Sequence, residues 1–111
     1  MRGSSEEGVL MTAPMNIKFT STAGEDLFLN ATIINQIEKH FGESTLKSIY
    51  NGNAGMSITI FVDSPTGIKL RESDEYQVCI LDKVYSTNGI VYVKHIFIEN
   101  AVSGTLSIQV Q

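Results

Sequence analysis

The chain of 111 residues has no tryptophan, two prolines and a single cysteine, and only 18% of its residues are charged. With Cys79 alone, an intramolecular disulfide framework and any multi-cysteine zinc or iron site are excluded. Cys79 therefore reads first as a small hydrophobe within a strand. Twelve acidic against eight basic side chains leave a formal charge of −4. That balance disfavours general binding of nucleic acid through its phosphates. No run approaches the roughly 18 consecutive apolar residues of a membrane span. The start, Met1-Arg2-Gly3-Ser4-Ser5-Glu6-Glu7, has one basic residue and no apolar core of roughly 7 to 15 residues after it, so it does not read as a secretory signal and a cytoplasmic location is expected.

With 42% apolar residues, the chain has enough hydrophobic material for one core, and its length suits one domain. Residues 1–14 lack a regular pattern and read as a flexible N-terminal extension or expression remnant, which leaves 15–111 as a single domain. From Met15 the pattern becomes periodic. Ile17 and Phe19 alternate with Lys18 and Thr20, and a turn over Ala23–Asp26 precedes Leu27-Phe28-Leu29, the pattern of a short hairpin. Asn30 is placed to cap a helix carrying Ile33, Ile34, Ile37 and Phe41 on one face, and Gly42 stands where that helix would end. A second short helix is expected over Ser44–Tyr50, with Leu46, Ile49 and Tyr50 on one side.

Past the connector Asn51-Gly52-Asn53-Ala54-Gly55 the period changes to two. Met56, Ile58, Ile60 and Val62 alternate with Ser57, Thr59, Phe61 and Asp63, as a strand with one buried face should. Ser64-Pro65-Thr66-Gly67 has turn chemistry, with a returning strand at Ile68–Leu70. A strand over 76–81 and another over Ile90–Ile98 follow, with Asn88-Gly89 as the strongest hairpin signal. The last strand carries Leu106, Ile108 and Val110. The expected fold is α+β: a β-hairpin, one main helix with a second short one, then a mostly antiparallel β-meander. A small, partly open β-barrel is the competing architecture.

The motifs of chemistry are missing. There is no glycine-rich phosphate loop, no Gly-x-Ser-x-Gly elbow and no paired-histidine zinc motif. His40 lies near a helix end, where the dipole favours positive charge. His95 is sixteen residues after Cys79 and would form a dyad only if the imidazole reached the sulfur. A pocket built from Tyr76, Cys79, Tyr92 and His95 is the enzyme or ligand-binding reading, and it ranks last. Glu72, Asp74 and Glu75, with Asp82 further on, lack the spacing of a calcium loop. Asn30-Ala31-Thr32 matches a glycosylation sequon, but Asn30 reads as the helix cap. No catalytic residue, metal site or cofactor is expected.

These features point to a small acidic, non-catalytic protein-interaction module of the inhibitor, immunity or adaptor type. Small acidic inhibitors carried by mobile genetic elements share this size and charge. Glu72, Asp74, Glu75 and Asp82 are the candidate contacts to a partner protein with a basic surface. The alternative is a self-assembling structural protein. In that reading the terminal strand, through Leu106, Ile108 and Val110, pairs at a free edge with a second copy to give a homodimer. Neither reading needs nucleic acid or a membrane.

Overall fold

The computed structural model describes residues 13–71, 76–78 and 82–111, with backbone alone for 71, 76–78 and 82. Strand β1 (Met15–Thr20) leads into β2 (Glu25–Asp26), a 3-10 turn (Leu27–Leu29) and two helices, α1 (Ala31–Phe41) and α2 (Glu43–Tyr50). Then come β3 (Met56–Thr66), β4 (Ile68–Arg71), β5 (Tyr76–Val78), β6 (Asp82–Ser86), β7 (His95–Ile98) and β8 (Ser103–Val110). Asn30 caps α1 as expected, its side-chain oxygen accepting from the N–H groups of Thr32 at 2.9 Å and Ile33 at 3.2 Å. Two donors that a helix start leaves free are thereby satisfied. Gly42, at φ 100°, ends α1 and opens α2, in a backbone region that a side chain resists. Ile33, Ile37 and Phe41 of α1 and Leu46 and Ile49 of α2 are buried.

The described strands form two four-stranded sheets, ordered β1-β8-β3-β6 and β2-β7-β4-β5, with every pairing antiparallel. The two orders correspond position by position. β1 runs on into β2, β3 into β4 and β7 into β8, while β5 precedes β6 in the matching place. The architecture is α+β, two antiparallel sheets joined at corners, and the described strands close no barrel. Alternation puts Ile58, Ile60, Leu106 and Ile108 into one core with Ile33 and Ile37.

The corners are stitched by two buried polar residues. Ser21 donates from its backbone to the Val102 carbonyl at 2.8 Å, and its hydroxyl lies 3.3 Å from the same oxygen. The Thr66 hydroxyl accepts from the Asn100 N–H at 3.1 Å. Buried polar groups without such partners would cost stability. At Gly67 the β3–β4 corner passes so near the Glu99 corner that a Cβ would overlap the Glu99 carboxylate.

Several local expectations change here. Leu27–Leu29 is a 3-10 turn and not a strand, because the Asp26 carboxylate captures the Phe28 N–H at 2.9 Å. β1 and β2 do not pair with each other; β8 and β7 take those edges. Ser64–Gly67 does not reverse the chain, since β4 leaves for the second sheet and pairs there with β5 and β7. Asn88-Gly89 is no hairpin either. Thr59 faces Ser86 and Met56 faces Val91, so the chain keeps running along β3, and the Asn-Gly pair, with Asn88 at φ 58°, bulges out of it. The expected strand Ile90–Ile98 is shortened to His95–Ile98, because residues after Val91 cross from one sheet to the other. The terminal strand lies between β1 and β3. Leu106 and Ile108 are wholly buried and Val110 nearly so, so the free edge expected for self-association through these three residues is not there.

Candidate protein-binding face

The first sheet has one face in the core and one facing outward. Residues directly opposite on antiparallel strands share a face, so the register defines rows across the outer surface. One row is Lys18, Thr105, Phe61 and Val84, taken from β1, β8, β3 and β6 in turn. On one side of it lies Asn16, Ser107, Thr59 and Ser86, and on the other Thr20 and Ser103, with Asp63 next along β3 after Val62, the partner of Gly104. The flanking rows are bonded across the strands. Thr20 and Ser103 hydroxyls meet at 3.1 Å, Thr59 donates to Ser86 at 3.3 Å, and Ser107 donates to Asn16. Asp63 Oδ1 accepts from the Ser103 N–H at 3.2 Å and from the Ser64 hydroxyl at 3.4 Å.

The middle row differs. Phe61 and Val84 are each 52% exposed, side by side on a rigid sheet. Among the described residues the Lys18 ammonium and Asp63 Oδ2 have no hydrogen-bond or ion-pair partner. Between Lys18, Phe61 and Asp63 the surface dips into a shallow depression of about 450 Å³, bordered also by Thr20, Ser103 and Thr105. The sequence carries a signal for this outside any motif. Phe61 occupies the polar register of β3, between Thr59 and Asp63, where alternation alone would place a hydrophilic residue.

A second polar cluster lies where β2, β7 and the helices meet. His95 Nδ1 donates to Asp26 Oδ2 at 2.6 Å, and Asp26 Oδ1 accepts from the N–H groups of Phe28 at 2.9 Å and Ile96 at 3.0 Å. The pairing fixes the proton on Nδ1 whenever the ring is neutral. Tyr50, at the end of α2, donates to the Phe28 carbonyl at 2.6 Å. Burial, and secondarily the charge of Asp26, push the Tyr50 hydroxyl up from 10.0 to about 12. These bonds join four chain segments, and the cluster reads as architecture. His95 thus has Asp26 as partner, while Tyr92 stands over Gly55. Cys79 lies outside the described residues, as do Glu72, Asp74, Glu75 and the side chains of Tyr76 and Asp82. His40 Nε2 lies 3.2 Å from the Ala13 carbonyl. Among the described residues no three His, Cys, Asp or Glu side chains gather as a metal site, and no helix is long and apolar enough to cross a membrane.

Comparison with protein families, with curated proteins and with solved structures finds no match to this chain.

Proposed function

We propose that this chain is a small, non-catalytic protein-interaction module that works by covering a protein surface with the outer face of its first sheet. The observation that supports this reading is the middle row: an aromatic and an aliphatic side chain, adjacent, half exposed and held by a sheet whose other side is core. Apolar groups fixed in this way lose little conformational entropy on binding, and aromatic anchors amid polar rims dominate protein interfaces. Asp82 begins the strand that carries Val84.

The test is photo-crosslinking from a benzophenone side chain placed at Thr105, beside Phe61, in cells that make the protein. The expected result is one dominant crosslinked protein species, lost in Phe61→Ser while thermal unfolding is unchanged. A folded protein that crosslinks to nothing from this position, or crosslinks equally well without Phe61, overturns the proposal.

A further inference from the structure

We infer that the occupant of this face is a second copy of the chain, seated face to face about a two-fold axis beside Phe61. The inference rests on the reading of the face as a binding surface and adds the identity of what binds. A two-fold interface must be self-complementary: whatever residue i meets, its own counterpart must meet in return. Among the described side chains the face meets this condition with a cation and an anion, Lys18 and Asp63, each with an unused polar atom. Their charges cancel within the patch although the whole chain carries −4. Two copies therefore approach through this face with less repulsion than through a surface sharing the net charge.

The register makes the geometry explicit. Lys18 and Asp63 stand two strands apart and two residues apart along them. With strands about 4.8 Å apart and about 3.4 Å per residue, their separation is about 12 Å. A two-fold axis in the plane of the face, crossing the midpoint of that line at right angles, lays each Lys18 on Asp63 of the other copy. The same operation brings the two Phe61 positions to within about 4 Å of each other in projection, by the same spacings. One rotation thus pairs both charges and stacks the exposed aromatic on its equivalent. Lys18 donates to Asp63 Oδ2, the oxygen that Ser103 and Ser64 leave unused.

Sedimentation equilibrium of the full chain over a concentration series up to roughly 100 μM, the range where a micromolar dimer forms fully, tests this. The wild type is expected to be a dimer. Lys18→Asp and Asp63→Lys, each alone, weaken it by roughly 30-fold or more, since each places like charges in contact. Mixing the two variants restores a dimer, because Asp at 18 then meets Lys at 63 and the unaltered Lys18 meets Asp63. Thermal unfolding of each variant separates loss of pairing from loss of fold. A monomeric wild type, a mixture that fails to pair, or a dimer indifferent to all three of Lys18, Phe61 and Asp63 overturns the inference. If the wild type is monomeric yet Thr105 crosslinks to another protein in a Phe61-dependent way, the second copy is ruled out and the binding face stands.

Discussion

Asp26 shows how much one side chain can organise. Its carboxylate accepts from Phe28, Ile96 and His95 and so fastens the 3-10 turn to β7. Removing it leaves three donors without their acceptor, two of them backbone N–H groups. Asp26→Ala is expected to lower stability by about 3 kcal/mol, against about 1 kcal/mol for loss of the helix cap in Asn30→Ala; urea unfolding of the two variants compares them. Tyr50 sets an alkaline limit. Its hydroxyl keeps its proton to about pH 12 in the fold but only to about 10 when unfolded. The unfolded chain therefore sheds this proton first, and the stability the group contributes is whole below pH 10 and is lost as pH rises toward 12. Tyr50→Phe should cost about 1 kcal/mol at neutral pH through the bond to Phe28, and should flatten the decline between pH 10 and 12 in a series of denaturant midpoints. The cap at Asn30 was legible in the sequence because its partners are two and three residues away. Asp26 was not, because His95 lies 69 residues on, and nothing local distinguishes a carboxylate that caps a turn from one that faces water.

Among the elements, the helices could be read from spacing, and the strands could be located but not paired. Alternation marks which residues of β3 face inward, yet it says nothing of which neighbour supplies the hydrogen bonds. Ser64–Gly67 and Asn88-Gly89 have the chemistry of reversals, and in both places the chain bends and goes on. Turn residues supply backbone freedom, and the sheet decides whether that freedom becomes a hairpin, a corner or a bulge. The candidate face was missed for the same reason, since Phe61, Lys18 and Asp63 become neighbours only once β8 is inserted between β1 and β3. Two glycines separate the kinds of constraint involved. A Cβ at Gly104 would overlap the Phe61 carbonyl, which is backbone within the sheet, whereas at Gly67 it meets the end of the Glu99 side chain. Gly104→Ala should therefore destabilise by about 2 kcal/mol or more. Gly67→Ala should stay within about 1 kcal/mol, displacing Glu99 from its exposed pairing with Lys69 at 3.8 Å. Thermal denaturation of both variants checks the order.

At the scale of the whole molecule, the last strand completes the sheet. β8 holds β1 on one edge and β3 on the other, and it brings Leu106 and Ile108 to the centre of the core. A chain ending at Ser103 should fail to fold, giving a far-UV circular dichroism spectrum without sheet signal and no cooperative thermal transition. The helices do not rescue it, because their apolar faces need that sheet to cover them. The register between the first and last strands has a mechanical consequence as well. Met15 sits opposite Ile108, so both ends of the described fold emerge from the same end of one antiparallel ladder. Tension applied between them peels β1 from β8 one pair at a time, as a zipper opens, and never loads all of that ladder's hydrogen bonds in shear. Held by its two ends, this protein yields at low force.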